Sequence, residues 1–264
     1  VVVVGATGFF ARAEFRTLPG QPETRTSLTF WALLLTLWGA LNLVFLSNDL
    51  FSLFVALELL TFSAIPLVCL SGRAETLAAG LRYLLFALFG SVLYLLGAVL
   101  LYGAYGTLDI GLLAERVRPE PITWAVAALM TVGLMAKTAV FPLHFWLPPA
   151  HAGAPAAASA VLSALVIKAS LFLIVRLWFD VMPALMTPAA AQILAALGAA
   201  AILLGSVLAL RQARLKLLIA YSTVAQIGYL FLIFPLIVRP ESVAFAAADL
   251  STELAAMGVS TSAW

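Results

Sequence analysis

The chain has 264 residues, 64% of them hydrophobic and only 10% charged, with a mean hydropathy of +1.12. Soluble domains carry roughly 25% charged residues, so the composition excludes an ordinary soluble enzyme and points to an integral membrane protein. A formal net charge of +2, with no basic stripe interleaved with aromatics, leaves no footprint for nucleic acid.

Val1 to Phe10 is apolar but too short to cross a bilayer, and it lacks the charged start of a signal peptide. It is expected to be the tail of a helix, and the chain an internal piece of a longer protein. Arg12 to Ser27 carries Pro19, Gly20 and Pro22 and is expected to be a loop. A membrane helix needs about 20 apolar residues, and the rest of the sequence supplies seven such runs. They are Leu28–Leu46, Leu50–Leu70, Leu77–Tyr102, Trp124–Phe141, Ala156–Trp178, Ala189–Leu210 and Leu217–Val238. The expected fold is therefore all-α and polytopic, with about seven transmembrane helices and a proline-broken helix near Pro142. Beyond Pro240, Glu241, Asp249 and Glu253 interrupt an alanine-rich stretch that reads as a polar end rather than a span.

Seven consecutive spans decide which loops share a side. The side of the Arg12–Ser27 loop holds Arg12, Arg16, Arg25, Arg73, Arg82, Arg211, Arg214 and Lys216, eight basic residues. The opposite side holds Arg116, Arg118, Arg176 and Arg239, four. The positive-inside rule then puts the first side in the cytoplasm.

Three charges lie deep inside the runs, away from their ends: Glu58, Lys137 and Lys168. A lysine near the middle of a membrane helix costs about 2.5–3.5 kcal/mol on insertion scales, and such residues mark ion pathways more often than not. Lys137 stands five residues before Pro142, which removes a backbone donor and clashes with the carbonyl of Thr138 four residues back. Broken helices at membrane depth line cavities and form ion sites in transporters. Glu58 is the obvious partner for Lys137, and Pro66 is expected to kink the helix that bears it. Small residues before Lys168 (AGAPAAASAVLSAL) allow close approach of neighbouring helices. Two lysines and one glutamate cannot all be charged and fully paired in a dry interior, which is the basis of a switchable relay. A single static ion pair, or a carboxyl kept neutral by desolvation, is the alternative.

His144 and His151 are the only histidines. His144 suits proton shuttling; satisfying a backbone carbonyl at a helix end is the competing role, more so for His151. Seven residues apart around Pro148 and Pro149, they are poorly placed for a bis-histidine haem. No CxxCH, cysteine cluster, HExxH, GxSxG or glycine-rich phosphate loop is present, so no cofactor or metal site is read in this chain. Cys69, the one cysteine, reads as packing. Asp49, Arg82, Arg176, Asp180 and Lys216, near the ends of spans, are expected to be interfacial or snorkelling.

FPLHFWLPPAHAGAP, with the lysine upstream and VIKASLFLIVR downstream, resembles the antiporter-like membrane subunits shared by respiratory complex I (NADH-quinone oxidoreductase) and Mrp-type Na⁺/H⁺ antiporters. LKLLIAYSTVAQIGYL and LFVALELL are similar to two further segments of that family. The wording FPLHFWLPPAH leans toward the Mrp D-type subunits, whereas YSTVAQIGYL suits complex I equally; hydrogenases and bicarbonate-uptake complexes use the same module. The resemblance implies about fourteen helices with two inverted five-helix repeats, of which these seven would be the fourth to tenth. Residues 1–27 would then be the end of a preceding helix and a cytoplasmic loop, 28–178 the first repeat, 189–238 the first two helices of the second and 239–264 a polar end. It further implies a proton relay through Glu58, Lys137, His144 and Lys168, with Glu58 pairing Lys137 and His144 linking the two lysines. Pro149 stands where the family often has Asp, which removes one polar contact. The implied setting is a bacterial or archaeal plasma membrane. Homologous antiporter-like subunits, small membrane subunits, protons and Na⁺ are the implied partners. A redox activity would belong to the assembly and not to this chain. A non-conducting subunit that anchors redox partners is the alternative.

Overall fold

The computed structural model describes residues 1–15 and 24–238. Helix α1 (Val2–Glu14) is followed by α2 (Arg25–Leu46), α3 (Leu50–Cys69), α4 (Ala74–Tyr105), the short α5 (Ile110–Arg116) and α6 (Pro121–Thr138). After an irregular stretch come α7 (Leu147–Gly153) and a long segment, Ala156–Val181, built from α8 (Ala156–Val161), a π turn (Leu162–Val166), α9 (Ile167–Arg176) and a second π turn (Leu177–Val181). A 3₁₀ turn at Pro183–Leu185 leads to α10 (Pro188–Leu210), α11 (Leu215–Phe231) and α12 (Ile233–Ile237). Seven helical segments of 18–32 residues are long and apolar enough to cross a membrane, and no named strand occurs among the described residues.

The helix boundaries follow local chemistry. Asp49, Asp109 and Thr187 each accept a backbone N–H of the first turn they precede (Ser52 at 2.8 Å, Leu112 at 3.0 Å, Ala190 at 3.2 Å), satisfying donors that a helix start leaves orphaned. Pro121 and Pro188 occupy first helical positions, where a missing N–H is harmless. Helix extends into the expected Arg12–Ser27 loop from both sides: α1 runs to Glu14 and α2 starts at Arg25. The fourth span ends at Thr138, three residues before the expected Phe141. Helix α3 continues through Pro66 to Cys69. The expected polar end from residue 239 onward lies outside the described residues.

Two kinds of apolar surface hold the fold. Leu53, Leu60, Leu101 and Phe231 are buried between helices, whereas Leu35, Phe62, Val92 and Leu203 stand exposed on the perimeter. In water that perimeter would be a very large apolar patch; in hydrocarbon it is simply solvated. Close packing is sharpest between α4 and α6, where Gly90 faces Gly133. A Cβ placed on Gly133 would fall 2.5 Å from the Gly90 carbonyl oxygen and 3.1 Å from the Tyr94 nitrogen. Without a hydrophobic force between helices in lipid, such backbone approach supplies the packing. Because Lys137 lies one turn beyond Gly133, the same contact presses α4 against the lysine.

At the end of the bundle opposite the α3–α4 connection, two backbone bonds join the α2–α3 and α4–α5 connections: Leu50 N to Leu108 O and Ile110 N to Asn48 O, both 3.0 Å. Gly133→Leu should overpack the α4–α6 contact, at a cost of about 1–3 kcal/mol. The check is the thermal stability and monodispersity of the detergent-extracted assembly. Val132→Leu, on the exposed side of α6, should leave both unchanged.

Candidate functional site: a buried ion pair at a broken helix

Lys137 is the penultimate residue of α6, and only 5% of it is exposed. The helix stops there because Ala139 turns left-handed (φ +59°) and the chain proceeds through a cis Phe141–Pro142 bond to α7. The last four carbonyls of a helix have no intrahelical donor, and one of them is taken by a side chain: Trp146 Nε1 donates to Ala136 O at 2.8 Å. Tyr83 of α4 stacks on the Trp146 ring, centroids 4.0 Å apart and planes 6° from parallel. The break is thus a fixed structure, braced from α4, rather than a loose loop.

The Lys137 ammonium reaches back to α3. It donates to Glu58 Oε1 at 3.0 Å and to Thr61 Oγ1 at 3.1 Å. Glu58 and Thr61 are three residues apart and therefore share a helix face. The Glu58 side chain is 15% exposed. Its Oε1 also accepts the Ser91 hydroxyl of α4. Three helices therefore meet at one carboxylate oxygen. A pair this deep gains little net stability, since desolvation of both ions opposes their attraction, but removing one partner strands the other at a cost of about 3–5 kcal/mol.

Lys168 sits in the first turn of α9, immediately after the π turn Leu162–Val166. Its Nζ donates to the Ser163 carbonyl at 2.5 Å, within that turn. π turns inside α-helices occur frequently at functional sites. The Ser163 hydroxyl bonds Thr223 Oγ1 of α11 at 3.0 Å, tying the fifth span to the seventh. No carboxylate lies within ion-pairing distance of Lys168 among the described residues.

His144 falls in the irregular stretch, stacked on Phe145 with centroids 4.5 Å apart. His151 lies on α7, fully buried, with Nδ1 2.6 Å from Ser159 Oγ. His144 Nδ1 and His151 Nε2 are buried without a hydrogen-bond partner among the described residues. A cavity of about 390 Å³ opens beside His144, with Arg82, Pro148, Pro149 and Tyr221 among its walls. Of the four relay candidates, Glu58 and Lys137 are in direct contact. His144 and Lys168 form no direct hydrogen bond with that pair or with each other. Among the described residues no group of three or more His, Cys, Asp or Glu could hold a metal ion.

Sequence reasoning missed Ser91, Thr61, Trp146 and Tyr83. Thr61 carries a signal, its i+3 spacing from Glu58; Ser91 and Tyr83 carry none, because which face of α4 meets Glu58 is a matter of packing. Two expected snorkelling residues are structural instead. Arg176 donates to Ser47 O at 2.6 Å, to Asn48 Oδ1 at 2.9 Å and to Asp180 at 3.2 Å, so it pins the α2–α3 turn. Lys216 donates to Ala154 O at 2.7 Å, at the end of α7, while the Glu14 carboxylate accepts the Ala156 and Ala157 N–H groups at 3.0 Å each. Both halves of that connection are held by charge, each sign complementing its helix end.

Residues 47–247 match the family described as NADH:quinone oxidoreductase/Mrp antiporter, TM. An NADH-quinone oxidoreductase subunit N from Desulforudis audaxviator (strain MP104C) is 36% identical over 209 residues, which is 77% of this chain and 41% of that protein. Among solved structures, a chain of the membrane-bound sulfane sulfur reductase, an archaeal respiratory membrane complex, superposes with a TM-score of 0.76 at 29% identity. That match covers 88% of this chain and 48% of the other. A chain of respiratory complex I from Thermus thermophilus gives 0.69 at 29% identity, over 88% and 49%. This chain spans about half the length of the proteins it matches. With the family match covering most of its length, and seven apolar spans to carry it, the chain belongs to the NADH:quinone oxidoreductase/Mrp antiporter membrane-subunit family.

Proposed function

We propose that this chain conducts protons across a membrane as one subunit of a larger assembly, through Glu58, Lys137, His144 and Lys168. The observation that carries the reading is the Lys137–Glu58 pair at the end of a broken helix, 3.0 Å long and almost wholly removed from solvent. A static pair needs no second lysine within a span, no helix break and no histidine in that break. A relay uses all three. While Glu58 holds Lys137, the ammonium is stabilised; when the pair opens, the uncompensated charge favours loss of its proton. His144, in the break, is the proposed link toward Lys168, whose ammonium is bonded to the Ser163 carbonyl among the described residues.

Residues 28–178 are taken as one five-helix repeat and 189–238 as the start of a second, with residues supplied elsewhere completing the path. The printed names of the relatives favour an assembly that passes electrons to a quinone or to sulfane sulfur, and exchange for Na⁺ is the Mrp variant of the same relay. The eight-to-four distribution of basic residues supports a cytoplasmic location for the side bearing Arg73 and Lys216, in a bacterial or archaeal plasma membrane.

Ion flux in vesicles bearing the whole assembly tests the relay. Lys137→Ala should abolish flux and Glu58→Gln lower it about tenfold, with the complex still assembled. Flux driven by NADH would assign a respiratory role, and collapse of a pH gradient on adding Na⁺ an antiporter role. Undiminished flux in Lys137→Met would leave the chain a structural anchor. Sidedness is tested separately: with Cys69→Ser as background, Ser71→Cys should react with a membrane-impermeant thiol reagent only from the cytoplasmic side.

A further inference from the structure

One hydroxyl at the ion pair has two possible acceptors. Ser91 donates to Glu58 Oε1 across the α3–α4 contact, and the Ala87 carbonyl, one turn back on α4, lies 2.9 Å from the Ser91 hydroxyl. A serine has a single proton to give. Bonding to the carbonyl four residues back is the ordinary fate of a helical serine; reaching a carboxylate on another helix is not. Across the pair, Thr61 does the converse: it donates to Leu57 O at 2.8 Å and accepts from Lys137 at 3.1 Å. The two hydroxyls flank the pair, one on the carboxylate and one on the ammonium. Ser91 is buried, so water does not replace it freely. Its place is set by its neighbour Gly90, whose approach to Gly133 brings α4 against α6.

We propose that Ser91 is a positioning residue that holds the Glu58 carboxylate in its orientation toward Lys137, by giving its one proton to the carboxylate rather than to the Ala87 carbonyl. The inference rests on the relay proposed above. A carboxylate with no second donor is free to swing away once Lys137 moves, and the contact is then slow to re-form. A hydroxyl donor to the charged form counters this. The pair can then re-form, and the cycle repeats.

The test uses the whole assembly in vesicles, with Ser91→Ala, Glu58→Gln and the double variant. Ser91→Ala should lower flux about three- to tenfold and leave assembly intact. In the Glu58→Gln background the same change should have no further effect, because a residue acting through Glu58 has nothing left to act on. Ser91→Cys, similar in size but a weak donor, should follow Ser91→Ala. An infrared carboxylate band assigned to Glu58 by its loss in Glu58→Gln should shift in Ser91→Ala. Full flux in Ser91→Ala, or an equal loss in both backgrounds, overturns the inference. Should Ser91→Ala fail to assemble, Ser91→Cys decides: unaltered flux with an unshifted band overturns the role. Unchanged flux in Glu58→Gln alone sinks the relay itself, whereas an inert Ser91→Ala beside a damaged Glu58→Gln sinks only the role of Ser91.

Discussion

The structure depends on how a charged lysine is kept inside a membrane protein. Lys137 is buried to within 5% of its surface, and an isolated ammonium there would be untenable. Three features answer that demand at once: a carboxylate from α3, a hydroxyl one turn along the same helix, and a helix end whose geometry is braced by Trp146. None of them adds much net stability alone, because a buried ion pair roughly returns its desolvation cost. What the arrangement adds is dependence. Each charge needs the other, so a small displacement of either changes the state of both.

The way the helices pack makes that dependence local. Gly90 and Gly133 bring the backbones of α4 and α6 into contact, and Lys137 and Ser91 stand beside that contact on the two helices. Larger residues there would separate α4 from α6 and leave Glu58 with one donor instead of two. Tyr83, two turns nearer the start of α4, stacks on Trp146 and fixes the break from the same helix. Helix α4 thus supports both the partner of the lysine and the interruption beside it.

Lys168 has a different environment. It follows a π turn and bonds a carbonyl of that turn instead of a carboxylate, so its charge is held by a dipole rather than a counter-ion. The hydroxyl of the same serine reaches α11 through Thr223. Charge moving toward Lys168 would therefore be felt at the contact between the fifth and seventh spans, which is where the two proposed repeats meet. Glu14 and Lys216, clamping the connection between α7 and α8, hold the other end of the broken helix in place.

Much of this was legible in the sequence. Hydropathy alone determined seven spans, because a run of about 20 apolar residues has no stable place except a bilayer or a large core. Pro142 located the break, and the rarity of charge inside the spans singled out Glu58, Lys137 and Lys168. The partners Ser91, Thr61 and Trp146, and the structural role of Arg176, were decided only by the tertiary structure. The reason is that lipid-facing and core-facing positions are equally apolar: Leu60 is buried and Leu85 is exposed, yet nothing in their chemistry says which. In a soluble helix, polar residues mark the outer face and set its rotation. Here rotation is set by small-residue contacts such as Gly90 against Gly133, and those contacts exist only once the helices have met.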